Sequence, residues 1–248
     1  MNFSALHQQV KQQTDASLLT LIDELPDYAP RLKDAMRHAL LAGGKRMRPL
    51  LVQVVGNTLD VPKKDQMAIS MAIECVHAYS LLHDDLPAMD DDDLRRGMPT
   101  CHIAFDEATA ILAGDALQAL AFTVLADAPL STYAETKRSQ LLSVLAKSAG
   151  YIGMCGGQAI DLASTGKTIS LEELKQLHRL KTGALLKACV EMVAIVSEGL
   201  LPQTKIDLMA YAADIGLAFQ VQDDILDVEG SSEKLGKPAG SDEALGKN

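Results

Sequence analysis

The sequence predicts an all-α protein, a single domain of long antiparallel helices around a central cavity. Three observations lead there. Apolar residues recur at helical spacing along most of the chain, with no convincing alternating strand pattern. Aromatics make up only 4% of the 248 residues and Trp is absent, while Ala and Leu abound, which suits an aliphatic helical core. Nothing between the helical segments reads as an interdomain linker, and no repeat of fixed period is present. A hydrophobic content of 48% is enough for one well-filled core and excludes a disordered chain.

The elements follow in order. Gly43-Gly44 and Pro49 bracket a basic turn, after which an apolar helix runs through Leu50–Thr58. Residues 64–86 read as a long helix with Met67, Met71, Cys75 and Leu82 near one face. Ala104–Ala126 and Lys137–Ile152 read as two further helices. Ser170-Leu171-Glu172-Glu173 is a capping box, and the helix that it opens is expected to run to about Ser197, before Gly199 and Pro202. A last helix spans about Lys205–Val228, followed by a loop over Gly236–Asp242.

Charge and cysteine usage narrow the function classes. The balance is 23 − 33 = −10, which argues against nucleic-acid binding through a basic surface. An acidic protein that binds an anion needs local cations or metal ions to do so. The N-terminus has no basic region followed by an apolar stretch, and no uncharged apolar run approaches the length of a membrane span. Cys75, Cys101, Cys155 and Cys189 form no CxxC pair and sit among apolar or small residues, so all four are expected as buried free thiols. The expected location is the cytoplasm, with no membrane insertion.

Two acidic clusters carry the chemistry. From Asp84 to Asp93, six of ten residues are Asp, placed at the end of an apolar helix. Crowded like charges there oppose the helix dipole and cost stability unless something compensates them. A solvated acidic loop is one reading. A calcium loop of the EF-hand type fails, because Leu94 stands where an oxygen ligand belongs if Gly97 is the turn glycine. The second cluster is Phe219-Gln220-Val221-Gln222-Asp223-Asp224-Ile225-Leu226-Asp227. Gln220, Asp223, Asp224 and Asp227 fall at i, i+3, i+4 and i+7 and so share one face of an otherwise apolar helix. Carboxylates in such surroundings need cations or protons, and all-oxygen ligands suit Mg²⁺. The two clusters are expected to face each other across the cavity as a joint metal site.

Basic residues concentrate beside them. Lys45, Arg46 and Arg48 lie on the glycine-led turn, and Arg95 and Arg96 follow the first acidic cluster. His77 precedes Asp84 by seven residues, two helical turns on the same face. Each alone would be a solvated charge or a core histidine; together they suit an anion pocket.

On these residues the chain resembles the trans-isoprenyl diphosphate synthases, most closely the bacterial branch that makes the C15 farnesyl product. The resemblance spans nearly the whole chain. It rests on Gly44-Lys45-Arg46-Met47-Arg48-Pro49, on Asp84, Asp85 and Asp90 with Arg95-Arg96, and on Gly156-Gly157-Gln158. It continues through Lys181-Thr182-Gly183, the Phe219–Asp227 motif and Gly236-Lys237. It implies a Mg²⁺-dependent prenyltransferase that condenses isopentenyl diphosphate with dimethylallyl and geranyl diphosphates, by ionisation, condensation and elimination. Asp84, Asp90 and Asp223 would be the main ligands of three Mg²⁺ ions, with Asp85, Asp224 and Asp227 in support. Arg95, Lys181 and Lys237 would grip the allylic diphosphate, and Gly44, Lys45, Arg48, His77 and Arg96 the isopentenyl diphosphate. Thr182 and Gln220 would turn oxygens toward the developing cation.

Tyr79 lies five residues before Asp84, about 7.5 Å along a helix, where with Ser80 it would form the floor that limits the product to C15. The same resemblance implies a homodimer. It also implies helices beyond Gly236-Lys237, which this chain of 248 residues is expected to lack. The alternatives are a synthase of geranyl or geranylgeranyl diphosphate, a non-catalytic synthase-like subunit, and a terpene cyclase. A cyclase has no use for Lys45, Arg48, His77 and Arg96 together, and a non-catalytic subunit typically loses its Asp-rich residues.

Overall fold

Asn2 opens the first helix, α1 (Phe3–Asp23), by accepting a hydrogen bond from the Ala5 N–H at 2.8 Å. The computed structural model describes residues 2–229, and helices dominate it. Pro30 begins α2 (Pro30–Leu41), where its missing N–H costs nothing. Next come α3 (Met47–Thr58) and α4 (Lys63–Asp84). A two-residue hairpin joins β1 (Leu94–Arg95) to β2 (Met98–Pro99), with Leu94 opposite Pro99 and Arg95 opposite Met98. Arg96 (φ 54°) and Gly97 (φ 77°) form its turn, the double left-handed conformation that tight hairpins favour.

Beyond the hairpin lie α5 (Cys101–Ala104), α6 (Glu107–Asp127), α7 (Thr132–Glu135) and α8 (Arg138–Ala149). They are followed by α9 (Met154–Ser164), α10 (Leu171–His178), a π-helical turn over Arg179–Gly183, α11 (Ala184–Val196) and α12 (Pro202–Glu229).

The helix α4 is the axis of the fold. It packs against α1, α2, α3, α6 and α11, and Ile69, Ala72, Ile73, Cys75 and Val76 are fully buried along it. Burying a side chain such as Ile69 contributes roughly 1.5–3 kcal/mol over leaving it exposed. The contact with α6 is close at its C-terminal end. A Cβ at Gly114 would lie 2.1 Å from the His83 Nε2, so only glycine lets the imidazole settle there and meet the Ile111 carbonyl at 3.1 Å.

Several expectations change in detail. The helix predicted over Ala104–Ala126 is interrupted at Phe105-Asp106, because the Asp106 carboxylate accepts from the Thr109 N–H and starts a new helix. The segment predicted from Lys137 to Ile152 ends at Ala149, before Gly150. The helix after the Ser170–Glu173 capping box is present, but the π turn divides it at Lys181-Thr182. The hairpin escaped notice because two-residue strands leave no alternating pattern. Cys75, Cys101 and Cys189 are buried free thiols, but Cys155 is exposed. The α6 helix is long and apolar enough, by length and composition, to cross a membrane, but Asp115 interrupts it, so it is not the uncharged apolar run that the sequence reading looked for.

Candidate active site

Asp84 is the last residue of α4, and the chain folds back immediately after it. The Met89 N–H donates to the Leu86 carbonyl at 2.8 Å, and the Asp90 N–H donates to the Asp84 carbonyl at 2.9 Å. The four-residue spacer between the aspartates is therefore a tight loop that returns Asp90 to Asp84. Asp85 is buried and bound by Arg95, whose Nε donates to Oδ1 at 2.6 Å. Arg95 also reaches Asp92 at 3.4 Å. Burial raises the Asp85 carboxyl even with Arg95 against it. Burial pushes the Asp84 carboxyl up to about 6; Lys181 and Arg95 oppose that shift, and the charges of Asp90 and Asp85 add to it. Asp84 thus sits where a cation would be welcome.

Lys181 comes to the same place from the π turn. Its Nζ donates to Asp161 Oδ2 at 2.6 Å, a carboxylate from α9. Sequence reasoning gave Asp161 no role. The signal was its position three residues after Gln158, which puts both on one helix face beside Gly157. Gly157 is where α9 meets the π turn: a Cβ there would lie 2.2 Å from the Lys181 N and 2.6 Å from its Cα. Backbone cannot yield as a flexible side chain can. Gly157→Ala is expected to destabilise the protein by about 1–3 kcal/mol through overpacking and to lower kcat by displacing Lys181. Thermal melts and steady-state kinetics check this; unchanged values of both would contradict it.

The basic residues gather one to two turns back along α4. A Cβ at Gly44 (φ 138°) would lie 2.9 Å from Arg96 Nη1, so the glycine gives the guanidinium its room, and Nη1 donates to the Gly43 carbonyl. Lys45 remains exposed, while the Arg48 Nε is buried without a hydrogen-bond partner. His77 faces this group. Burial lowers its pKa well below the ordinary 6.5, and the charges of Arg48, Arg96, Arg46 and Arg95 push the same way. His77 is therefore a neutral imidazole in a cationic pocket. Its ring-proton NMR signals are expected to show no titration around pH 6.5, and a step there would contradict this.

The third cation of the glycine-led turn behaves otherwise. Arg46 turns inward and is buried, bound to Glu74 at 2.6 Å and Asp15 at 2.7 Å, and so it is not a pocket-lining charge.

Tyr79 is buried on α4 with its hydroxyl 3.3 Å from the Cys155 Sγ and its ring edge-on to His83, centroids 5.8 Å apart. Ser80 donates to the His77 carbonyl at 2.9 Å. A cavity of about 40 Å³ lies between α2, α4 and the hairpin, lined in part by His38, Ala78, Leu82, Asp85, Arg95 and Arg96. On α12, Gln220, Asp223, Asp224 and Asp227 lie on continuous helical backbone, in the register that puts them on one face; their side chains lie outside the description. Thr182 is in the π turn beside Lys181. Gly183 is where α12 comes close, since a Cβ at Gly216 would lie 3.2 Å from the Gly183 Cα. Lys237 lies outside the described residues.

Among the described residues, no three His, Cys, Asp or Glu side chains converge as a metal centre. The donor set still fits Mg²⁺, which is commonly held by one or two carboxylates with water and substrate phosphates completing the shell. Asp84 and Asp90, tied together by the backbone and repelling each other, are such a pair.

Comparison with known proteins adds the following. The family described as polyprenyl synthetase matches residues 29–248. The farnesyl diphosphate synthase of Escherichia coli is 48% identical over 248 residues, covering all of this chain and 83% of that protein. A geranyltransferase structure from Legionella pneumophila superposes with a TM-score of 0.87 at 44% identity, over 90% of this chain and 79% of that one. A geranyltransferase from Helicobacter pylori, solved with magnesium and isoprenyl diphosphate, does so with a TM-score of 0.84 at 33% identity, over 98% of this chain and 81% of that one.

Proposed function

The chain belongs to the polyprenyl synthetase family, and from that premise we infer a Mg²⁺-dependent prenyltransferase that makes farnesyl diphosphate. Its substrates are isopentenyl diphosphate and, in turn, dimethylallyl and geranyl diphosphates. The observation that carries this reading is the two-sided character of α4. An acidic end at Asp84, attended by Arg95 and Lys181, stands seven residues from a cationic pocket around His77, or about 10.5 Å along the helix. Two diphosphates need two such sites. A cyclase, with one diphosphate to bind, would leave the His77 pocket without a use.

Each residue then has a task. Asp84 and Asp90 would hold metal with Asp223 from α12, and Asp224 and Asp227, in register with Asp223 on that helix, would support them. Asp85 orients Arg95, to which it is already bonded. Three Mg²⁺ ions, when bound, would neutralise the charge that develops on the departing diphosphate. Arg95, Lys181 and Lys237 grip that diphosphate and stabilise the same charge as the allylic C–O bond ionises. Thr182 and Gln220 present oxygens to the cation left behind.

On the other side, Lys45, Arg48, His77, Arg96 and the backbone of Gly44 hold isopentenyl diphosphate, with its double bond facing the cation. A neutral His77 donates or accepts one hydrogen bond there without adding to the repulsion among the arginines. The double bond attacks the cation, and the proton lost afterwards goes to the departed diphosphate. Aliphatic walls keep water from the cation, and Tyr79 stops the chain at C15.

The exposed apolar face of α6, with Ile111 44% and Leu112 57% exposed, fits a second copy of the chain better than water or lipid, because the opposite face of that helix is already packed on α4. The protein is accordingly read as a homodimer, and its free thiols Cys75, Cys101, Cys155 and Cys189 suit the cytoplasm.

The test is product analysis. The purified chain, given isopentenyl and geranyl diphosphates with Mg²⁺, is expected to yield a C15 diphosphate by mass spectrometry and none with a chelator. A product of another length would sink the farnesyl assignment, and no condensation at all would sink the activity.

A further inference from the structure

The inward turn of Arg46 is the feature that the proposed mechanism leaves unused. Arg46 is the N-cap of α3 and adopts φ 50°, ψ 40°, a left-handed conformation that strains a residue with a side chain. Such a conformation persists only where the surroundings over-determine it. Here they do so from three helices. Nη1 donates to Glu74 on α4 at 2.6 Å, Nε to Asp15 on α1 at 2.7 Å, and Nη2 to the Leu40 carbonyl at the end of α2 at 2.5 Å. Arg46 and Glu74 are both buried.

The neighbours of this pair are the pocket itself. Lys45 and Arg48 flank Arg46 in sequence, and His77 stands three residues after Glu74, one turn along α4. Burial and the Arg46 charge lower the Arg96 pKa, while the Glu74 carboxylate works to raise it. Glu74 thus acts on Arg96 as well as on its hydrogen-bonded partner Arg46.

We propose that the buried Glu74–Arg46 pair is a positioning device for isopentenyl diphosphate: it pins the strained turn that presents Lys45 and Arg48, and its anion offsets the cations beside His77. Neither side chain touches the substrate. The inference rests on the assignment of that pocket to isopentenyl diphosphate. A buried pair that only joined α1, α2 and α4 would have no reason to stand in a left-handed residue between two pocket cations.

The test uses the full chain and isopentenyl diphosphate as probe, with binding followed by calorimetry so that no turnover is needed. Three variants are compared: Glu74→Gln; Arg46→Lys; and the double change Arg46→Met with Glu74→Gln, which replaces the ion pair by a neutral pair and so avoids leaving one buried charge alone. Every variant that melts cooperatively is expected to bind isopentenyl diphosphate about tenfold more weakly, a loss typical of removing a supporting partner. The affinity for geranyl diphosphate, measured in the same way, should stay within about twofold, because Asp84, Lys181 and Arg95 do not depend on the turn.

Undiminished affinity for isopentenyl diphosphate in a folded variant, or equal weakening toward both substrates, would overturn the proposal. Failure of all three variants to fold would overturn it in favour of a purely structural pair. If the unmodified chain binds isopentenyl diphosphate but forms no C15 product, the activity is at fault and the positioning role stands; if it does not bind, the role falls.

Discussion

Asp84→Ala is expected to lower kcat/KM for condensation by about 10³, the scale set by removing one preorganised group from a charge-stabilising site. It is also expected to leave the metal-free protein at least as heat-stable as the parent at neutral pH. Burial raises the Asp84 carboxyl from the ordinary 3.8 to about 6 in the folded chain, so folding disfavours its charged form. The folded state holds the extra proton between those two values, and stability therefore declines as pH rises through that window, to a full penalty above about 6.

Alanine removes the penalty together with the function. Mg²⁺ opposes it in the parent, because binding favours the charged form, so the rise in melting temperature on adding Mg²⁺ should shrink as pH falls below about 6 and be small in Asp84→Ala. Kinetics and melts with and without Mg²⁺ check both halves. A variant that keeps parental turnover, or a parent that Mg²⁺ stabilises no more than the variant, would remove Asp84 from the metal site.

Tyr79→Ala is expected to shift the main product from C15 to C20 and longer. The ring stands one and a half turns below Asp84, and its hydroxyl meets Cys155 across the space between α4 and α9. Removing it opens depth along the direction in which an elongating chain must grow. A deleted buried aromatic costs about 3–5 kcal/mol when its cavity stays empty, so a lower melting temperature should accompany the change. Product lengths by mass spectrometry decide. Destabilised protein that still releases only C15 would leave Tyr79 an ordinary core residue.

Much of this was legible in the sequence because the fold spells it out in helical spacing. The long helix ending at Asp84 could be drawn from its apolar positions, and the capping box at Ser170 fixed the start of α10. What escaped was decided by tertiary contact. The π turn at Lys181-Thr182 has no periodicity of its own; it exists where Gly157 lets α9 press against the backbone. Asp161 looked like any polar residue on an amphipathic helix until Lys181 was placed on it. Lys45, Arg46 and Arg48 read as three equal cations, because a left-handed backbone that turns the middle one inward leaves no mark on composition. The N-terminal helices α1 and α2 passed unread, and yet they supply two of the three anchors of Arg46.

The most direct test of the two-site assignment is a crystal structure of the chain with Mg²⁺, a non-ionisable thio-analogue of an allylic diphosphate, and isopentenyl diphosphate. Metal is expected between that analogue and Asp84, Asp90 and Asp223, with Arg95 and Lys181 on the same diphosphate. Isopentenyl diphosphate is expected on Lys45, Arg48, His77 and Arg96. Metal bound elsewhere, or both diphosphates on the acidic side with the His77 pocket unused, would contradict it.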